Sequence, residues 1–295
     1  MLLENVASAS GHAPWDGAAA ESGESRGWTV LLPFFNERRY LARTITSLAA
    51  QDRSFRLILI DNGSTDGGAD IARVTCRRLG LAFTLLREAR PGKVAALAAG
   101  LAGVRTRFVA TCDADSWYPR DYLSQATNLL AADGVVAAGA FFAGEGANGE
   151  SVRWMPQRLR LATLFMPRQC HTGGAGQVFL TASLRKAGGF DPARWDLVLE
   201  DHEIMHRILK TGSIGYGPGF WCAPAVRRRD RASIRWTLGE RILYHLAPAA
   251  WRDRFFYGFL ASRLRARRLG SARLRENPYH HMGVLSDATP RSVRG

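Results

Sequence analysis

The sequence predicts an α/β fold with a mixed, mostly parallel sheet flanked by helices. Short runs of β-branched and large apolar residues alternate with longer segments in which apolar residues recur every three or four positions. The 295 residues, of which 46% are hydrophobic and 22% charged, suffice to bury a sizeable core. Alternation of this kind is typical of a parallel sheet with helices on its faces.

The elements alternate in order from about residue 28. Strands are predicted at residues 29–32, 57–60, 83–86 and 108–111, the third on the weakest pattern. Helices are predicted at residues 37–51, 69–79 and 94–104. Because ligands of such sheets bind at the carboxyl ends of the strands, the residues that follow each strand are the candidate functional residues.

The chain is strongly basic, with a formal net charge of +14. This charge predicts attraction to nucleic acid, anionic lipid or phosphorylated substrates, and does not choose among them. Arginines are concentrated late in the chain, at positions 227, 228, 229, 231 and 235 and again from 263 to 275. The four cysteines form no C-x-x-C pair, which indicates buried, reduced thiols rather than a zinc or redox motif.

Polar residues follow the first two predicted strands. Pro33-Phe34-Phe35-Asn36-Glu37 comes after the first strand, and a run of turn-forming residues from Asp61 to Gly67 comes after the second. Each segment alone can also be explained as a turn with a helix N-cap that has no functional role.

Asp113-Ala114-Asp115 follows the predicted strand at 108–111. In an extended backbone, carboxylates at positions i and i+2 point to the same side. Mg²⁺ and Mn²⁺ favour such oxygen ligands and share their coordination with substrate phosphates, so two carboxylates suffice for a metal site. The alternative is a solvated turn or a helix N-cap.

Taken together, these segments resemble glycosyltransferase family 2, whose members invert the sugar carbon and have the GT-A nucleotide-binding fold. The matching segments, which occur in the family's order, are residues 30–37, 60–66, Gly92-Lys93-Val94-Ala95-Ala96-Leu97, Asp113-Ala114-Asp115, Gly188-Gly189-Phe190-Asp191 and Leu199-Glu200-Asp201. The resemblance covers roughly residues 28–215. It implies a nucleotide-sugar donor, UDP-sugars being expected, and Mn²⁺ or Mg²⁺ as cofactor.

The resemblance also implies roles for individual residues. Phe35 would lie against the nucleobase, Asp61 would bond the base edge, Lys93 would face the nucleotide, Asp113 would contact the ribose side and Asp115 would hold the metal. The nucleotide-sugar site is further expected to include Pro33, Asn36, Glu37, Ala114 and Glu200. Two departures are Ala98, where many relatives carry asparagine, and the Gln-x-x-Arg-Trp motif of processive synthases, of which only Arg235-Trp236 is present. Transfer of a single sugar is therefore expected.

A helix predicted at residues 200–210 begins with acidic residues. A carboxylate at a helix N-terminus is favoured in its ionised form, so Asp201 can accept the proton of an acceptor hydroxyl during direct displacement. The resemblance assigns this position the same role of general base, and one base with direct displacement predicts inversion. The alternative is that Glu200 and Asp201 only complement the helix dipole.

His202-Glu203-Ile204-Met205-His206 in the same helix fits H-E-x-x-H, the pattern of zinc metalloproteases. The extended form of that pattern fails, because Leu209 and Gly212 occupy its glycine and last histidine positions. A peptidase would also leave the strand-end segments unexplained. His171 to Gln177, rich in glycine, is either a close approach of backbone to the acceptor or a plain loop.

Three regions are expected. Residues 1–26 are a disordered tail, and residues 27–222 form the GT-A domain, with its nucleotide half to about residue 139 and its acceptor half after it. Residues 223–295 form a basic, aromatic, helical C-terminal extension, which either binds an anionic membrane interface or packs on the core. The acceptor, whether saccharide, lipid-linked or small molecule, is not identified by the sequence.

Localisation and other partners complete the expectations. The sequence has no basic segment followed by an apolar run at its start and no apolar stretch of about 18 residues, so a cytoplasmic protein, peripheral at the inner face of the membrane, is expected. No specific nucleic acid is expected, since no recognition motif is visible. A non-catalytic protein that binds nucleotide or nucleic acid is the remaining alternative.

Overall fold

The computed structural model describes residues 4–6, 25–144, 155–225 and 236–271. The strands of the main sheet are β1 Glu4–Val6, β2 Ser25–Phe34, β3 Phe55–Asp61, β4 Phe83–Arg87, β5 Thr106–Cys112, β7 Val135–Gly139, β9 Gly176–Leu180 and β10 Ser213–Gly215. A small sheet holds β6 Ser116–Trp117, β8 Phe141–Phe142 and β11 Trp221–Pro224. The α-helices are α1 Arg38–Ala49, α2 Gly68–Arg78, α3 Lys93–Ala102, α4 Tyr122–Leu130, α5 Gln157–Phe165, α6 Thr181–Lys186, α7 Glu200–Ile208, α8 Leu238–Leu246 and α9 Ala261–Ala266.

The main sheet has the strand order β1-β4-β3-β2-β5-β9-β7-β10. Strands β4, β3, β2 and β5 run parallel, whereas β9 lies antiparallel between β5 and β7. The sheet is therefore mixed and mostly parallel, as the sequence predicts. The carboxyl ends of β2, β3 and β5 meet at one edge, which brings the three strand-end segments together.

The four predicted strands and the helices between them all form, with ends that differ by a few residues. Strand β2 continues through Pro33 to Phe34, whereas the sequence pattern predicts that proline ends it. Pairing of β2 with β5 stops at Leu31, before Pro33. Pro33 has no N–H to donate, so its position beyond the last pair leaves this ladder intact.

The core consists of two apolar layers, one on each face of the sheet. One contains Leu32, Leu41 and Ile45 with helices α1 and α4, and the other contains Leu31, Leu97 and Ile204 with helices α3 and α7. Four free cysteines lie buried, at Cys76, Cys112, Cys170 and Cys222. None of the helices in the described ranges has the length and apolarity needed to cross a membrane.

The C-terminal extension is helical between residues 236 and 271. Helix α8 is followed by a π-helical segment, Arg254–Leu260, that continues into α9. Tyr244, Phe255 and Phe256 are buried and pack with Trp195 and Leu197 in a third apolar cluster. The sequence leaves open whether the extension binds a membrane interface or packs on the core. These three aromatic rings pack on the core.

The predicted division into regions agrees only in part with these elements. Strand β11 spans the boundary placed at residue 222, and the clustered arginines at 227–235 lie outside the described residues. Within the predicted tail, residues 4–6 pair antiparallel with β4, and Ser25 and Arg26 belong to β2. The other residues of the tail lie outside the described ranges, so the three-region division stays a prediction.

Candidate functional site

The segments that follow β2 and β3 are tied to each other by hydrogen bonds. Asn36, with a left-handed φ of 54°, donates from its backbone N–H to Ser64 Oγ at 3.1 Å, and its Oδ1 accepts from Thr65 N at 2.8 Å. Asp61 Oδ1 accepts from Ser64 N at 2.8 Å. Asparagine is among the residues that tolerate this conformation. The amide Nδ2 of Asn36 is buried and has no hydrogen-bond partner among the described residues.

Asn62 links this loop to the segment before α3. Its side-chain amide donates to the carbonyls of Glu88 and Arg90 at 3.0 and 2.8 Å, and its Oδ1 accepts from Gly92 N at 2.9 Å. Gly92 has φ of 115°, which favours glycine, and helix α3 begins at the next residue, Lys93. The side chain of Asn62 thus positions the helix that carries the lysine.

The segment Asp113-Ala114-Asp115 forms a turn, because Ser116 N donates to Asp113 O at 3.2 Å. The expectation of an extended backbone in this segment is therefore wrong. Thr44 Oγ1 donates to the carbonyls of Ala114 and Ser116 at 2.9 and 2.8 Å. Asp113 and Asp115 are both partly exposed after the end of β5.

Tyr118 holds the start of this turn. Asp113 N donates to the Tyr118 hydroxyl at 2.8 Å, and that hydroxyl donates to Ala175 O at 2.5 Å. Tyr118 is 1% exposed, so both bonds are shielded from water. This residue connects the carboxyl end of β5 to the glycine-rich loop before β9.

Lys93 lies between the carboxylate of Asp113 and the start of α7. Its Nζ is 2.5 Å from Asp113 Oδ1 and 3.5 Å from Glu200 Oε1. The three side chains are 29%, 31% and 20% exposed, so the cluster is accessible from solvent without being on an open surface. A cation held among carboxylates at the strand ends is the centre of the candidate site.

Asp201 lies next to this cluster at the first turn of α7. Its Oδ1 accepts from His202 N at 2.8 Å and lies 2.9 Å from His202 Nδ1. The loop before β9 passes close by, since a Cβ built on Gly174 would lie 3.0 Å from Asp201 Cβ and 3.2 Å from Lys93 Nζ. Gln177 Nε2 also donates to Asp201 O at 3.2 Å. The glycine-rich loop therefore lies against Asp201 and Lys93, and its approach to an acceptor stays a prediction.

The charges of these side chains depend on one another. Burial would lower the pKa of Lys93, but the carboxylates of Asp113, Glu200 and Asp201 outweigh it and raise that pKa above its ordinary value. Burial raises the pKa of Glu200 against the opposing charge of Lys93. Burial would also raise the pKa of Asp201, but the charge and hydrogen bond of His202, together with Lys93, lower it. Lys93 is charged and Asp201 ionised at neutral pH.

The structure brings together four of the predicted site residues, Lys93, Asp113, Glu200 and Asp201. Asn36 and Asp61 lie in the loop network at the same sheet edge. Among the other predicted residues, Pro33 and Ala114 are buried, and Phe35 and Glu37 are half-buried just before α1. Asp115 is partly exposed and follows Asp113 by two residues in the same turn. Their predicted roles in donor binding stay predictions.

Sequence reasoning missed Asn62, Tyr118 and His202 as parts of this site. Asn62 lies within a predicted turn, and its partners at residues 88–92 were not foreseeable from spacing. Tyr118 reaches Ala175, 57 residues away in sequence. His202 was considered only as a zinc ligand, although its place directly after an acidic N-terminal residue of a helix was a usable signal.

The H-E-x-x-H pattern does not form a zinc site. Glu203 makes two 2.8 Å bonds to Arg207 and accepts a 2.6 Å bond from the Tyr257 hydroxyl, with Glu203 and Arg207 side chains 2% and 4% exposed. His206 Nε2 lies 2.6 Å from Asp253 Oδ1. Within residues 25–144, 155–225 and 236–271, no three His, Cys, Asp or Glu side chains are grouped to hold a metal. The metalloprotease alternative is wrong in this geometry.

The chemistry of the site nevertheless fits a divalent cation that shares its coordination with a ligand. Asp113 and Asp115 supply carboxylate oxygens, the donors that Mg²⁺ and Mn²⁺ prefer. Such ions keep open positions for phosphate oxygens, so a complete protein cage is not required. Asp113 is engaged by Lys93, and the metal-ligand role that the family resemblance implies for Asp115 stays a prediction.

The mixed sheet with its polar strand ends defines a class, that of GT-A-fold nucleotide-binding proteins. A mannosyltransferase from Pyrobaculum calidifontis, solved with GDP-Man and Mn²⁺, superimposes with a TM-score of 0.60 at 23% identity, covering 95% of this chain and 80% of that one. TarS of S. aureus, solved as residues 1–349 with UDP-GlcNAc, gives 0.54 at 18% identity, covering 86% and 75%. The model of glycosyl transferase family 2 matches residues 29–186, and the chain belongs to this family.

Curated relatives match about a third of this chain. Dodecaprenyl-phosphate galacturonate synthase of Rhizobium johnstonii is 35% identical over 107 residues, which cover 34% of this chain and 32% of the relative. Undecaprenyl-phosphate 4-deoxy-4-formamido-L-arabinose transferase of Edwardsiella ictaluri is 30% identical over 96 residues, covering 31% and 29%. The matched segment thus spans about a third of the length of these relatives.

Proposed function

We propose that this protein transfers a single sugar from a nucleoside-diphosphate sugar, a UDP-sugar being the expected donor, to an acceptor hydroxyl with inversion at the sugar carbon. The observation that carries the proposal is the cluster in which Lys93 Nζ lies 2.5 Å from Asp113 and 3.5 Å from Glu200, beside Asp201. It combines a cation for a diphosphate with an ionised carboxylate for a proton. Membership of glycosyl transferase family 2 supports the same reaction.

Donor binding is assigned to the strand ends. The buried, unpartnered Nδ2 of Asn36 is a hydrogen-bond donor whose cost of burial a bound nucleotide can offset. Asp61 and the half-buried Phe35 border the same edge of the sheet. The ammonium of Lys93 provides the positive charge that a diphosphate requires. Two solved neighbours contain bound nucleotide sugars, which supports a nucleotide sugar as the donor.

A divalent cation, Mn²⁺ or Mg²⁺, is proposed to be held by Asp115 together with the donor diphosphate. When bound, such an ion neutralises charge that develops on the leaving diphosphate. The Mn²⁺ in the mannosyltransferase complex supports metal use but does not choose between the two ions. Lys93 contributes a second positive charge on the Asp113 side of the turn.

Asp201 is the proposed general base. The acceptor oxygen bonds to the anomeric carbon while the bond from that carbon to the diphosphate breaks, and the diphosphate departs with the electron pair. The acceptor proton passes to the Asp201 carboxylate, which the first turn of α7 and His202 keep ionised. One displacement on the face opposite the leaving group inverts the carbon.

Relatives named for dodecaprenyl and undecaprenyl phosphates favour a second acceptor class, the phosphate of a polyprenyl lipid. A phosphate oxygen is already ionised at neutral pH and therefore needs no general base. The importance of Asp201 thus discriminates between the two classes of acceptor.

Asp201→Asn is the experiment that tests the proposed reaction. With a hydroxyl acceptor, transfer should fall about 10²–10⁴-fold, the contribution of a positioned base, while donor binding persists. Asp70→Asn, at an exposed position on α2, is the matched control and should transfer normally. Full transfer by Asp201→Asn to a hydroxyl acceptor would remove Asp201 as base, and full transfer to a polyprenyl phosphate alone would assign the second acceptor class.

A further inference from the structure

Two helices of the acceptor side expose large apolar side chains to solvent. The exposed residues, which we call the apolar face, are Leu161 (46% exposed), Leu164 (70%), Phe165 (75%), Leu238 (75%), Ile242 (49%) and Leu246 (73%). Isolated apolar residues on a protein surface are common, but a contiguous group marks an interaction site.

Helix α5, which carries half of this face, has no buried residue along its nine positions. A helix of this length is marginal in water, and most helices gain their stability by burying one face. Leu159 is packed only partly, against the cluster around Phe141 and Trp221. Among the described residues, none therefore forms a surface that buries the outer side of α5.

Helix α8 presents a stripe of apolar residues at every fourth position. Leu238, Ile242 and Leu246 share one side, while Glu240 and Tyr244 on the other side are buried. Glu240 is fixed by a capping box with Thr237 and by Arg263 and Arg267. The orientation of the helix is thus set by its inner side, and the apolar stripe faces outward.

The two helices are joined at the surface. Gln169 and His245 make two hydrogen bonds, and the Tyr244 hydroxyl accepts from Cys170 N at 2.9 Å. Phe165 ends α5 four residues before Gln169, and Leu246 follows His245 directly. The segment that directly follows α5 is therefore bonded to the C-terminal end of α8.

The charge around the apolar face is positive. Exposed arginines lie at positions 158, 160, 168 and 241. In residues 155–171 and 236–252 the sequence contains one carboxylate, Glu240, which is buried. These two stretches therefore present arginines and no exposed carboxylate to anionic phosphates. Asp253, directly after the second stretch, is 55% exposed and is paired with Lys210 and His206.

The apolar face begins beside the proposed base. His202, which is bonded to Asp201, packs edge-on against Trp236 with ring centroids 5.3 Å apart, and Leu238 follows two residues later. On the other side of Asp201, the 47% exposed ring of Phe142 lies against Gly173. Aromatic rings therefore lie close to the proposed base.

We propose that the apolar face docks on an anionic lipid bilayer, with the apolar side chains in the headgroup layer and the surrounding arginines at lipid phosphates. Docking of this kind needs no spanning helix, since burial of apolar area and attraction to anionic lipids act together. The docking does not depend on the reaction assigned to the site. The further step, in which a lipid-borne acceptor reaches Asp201 from the docked surface, rests on the proposed function.

Vesicle flotation with the full chain tests this inference. The apolar variant Leu164→Gln/Ile242→Gln/Leu246→Gln keeps every arginine, and Val74→Gln, at a 61% exposed valine on α2, is the matched control. Wild type and control should float with vesicles of phosphatidylcholine and phosphatidylglycerol, and both should bind phosphatidylcholine vesicles less. The apolar variant should bind the anionic vesicles on the order of tenfold more weakly, because each removed side chain forfeits transfer energy.

Two results would overturn the proposal. One is equal vesicle binding by the apolar variant and Val74→Gln, which would assign any binding to arginine charge alone. The other is that the wild type sediments as a dimer and the apolar variant as a monomer, while both bind vesicles equally. That result would make the apolar face a contact between two copies of this chain. The rise in Tm on addition of UDP and Mn²⁺ should be equal in wild type, control and apolar variant. An equal rise shows that the apolar variant has lost docking and has kept its fold and its nucleotide binding.

Discussion

Replacement of Glu203 by glutamine should destabilise the protein strongly without changing its donor site. Glu203 bonds Arg207 twice and accepts from Tyr257, while Arg207 also donates to the carbonyls of Ala187 and Gly189. Both charged side chains are nearly inaccessible to water. Glutamine retains the shape but removes the negative charge, so the guanidinium remains buried without its counter-ion.

The expected cost follows from that burial. Removal of one partner of a buried ion pair costs about 3–5 kcal/mol, because the remaining charge is not compensated. In a chain of this size 1 kcal/mol lowers Tm by about 2 °C, so Tm should fall by roughly 6–10 °C. Asp70→Asn, which breaks the exposed pair with Arg73 on α2, should change the free energy of unfolding by less than about 0.5 kcal/mol.

Urea and thermal denaturation of the two variants measure this difference. The reasoning would be refuted if Glu203→Gln changed the free energy of unfolding by no more than the Asp70 control. That outcome, accompanied by loss of a zinc-dependent peptidase activity, would instead identify Glu203 as a peptidase base.

Two further predictions concern the groups around the proposed base and the acidic turn. His202→Phe keeps an aromatic ring against Trp236 and Tyr244 but removes the side-chain bond and charge that lower the pKa of Asp201, so that pKa should rise. The active form of Asp201 is ionised and is lost as pH falls through this pKa, so the acid limb of a kcat/KM profile should move to higher pH. An unmoved acid limb would contradict the role of His202. Tyr118→Phe leaves Asp113 N and Ala175 O unpaired in the interior, so the free energy of unfolding in urea should fall by about 1–3 kcal/mol. The donor should also bind more weakly, because the turn loses its anchor. Unchanged affinity for the donor would show that the turn is held by Thr44 alone.

The sequence predicts the parallel half of the sheet because each of its strands carries a local signal. The runs ending at Leu32, Ile60 and Thr111 are apolar, are followed by turn formers and alternate with amphipathic helices, so local periodicity suffices. The small sheet was missed because β6 and β8 contain two residues each, too few for any periodic pattern. Its stability comes from tertiary packing, such as that between Trp117 and Trp221.

The errors at the site have a common physical origin in contacts between distant residues. Asp113 and Asp115 were assigned to one side of an extended chain, but Thr44, about 70 residues earlier, holds their segment as a turn. Glu203 belongs to the H-E-x-x-H pattern, but the hydroxyl of Tyr257, 54 residues later, donates a hydrogen bond to it. The C-terminal aromatics separate into buried rings, such as Tyr244 and Phe256, and exposed ones, Trp251 and Phe259, only once the helices pack. Spacing alone carries none of this information.

Titration of nucleoside diphosphates with Mn²⁺, Mg²⁺ or no metal, followed by thermal denaturation of wild type and Asp115→Ala, tests the central claim most directly. The proposed donor site predicts that one diphosphate stabilises the wild type only with metal, by about 2.7 kcal/mol at a ligand concentration 100 times Kd, and that Asp115→Ala loses this stabilisation. No stabilisation by any nucleoside diphosphate under any metal condition, together with a large effect of Zn²⁺ alone, would contradict the account.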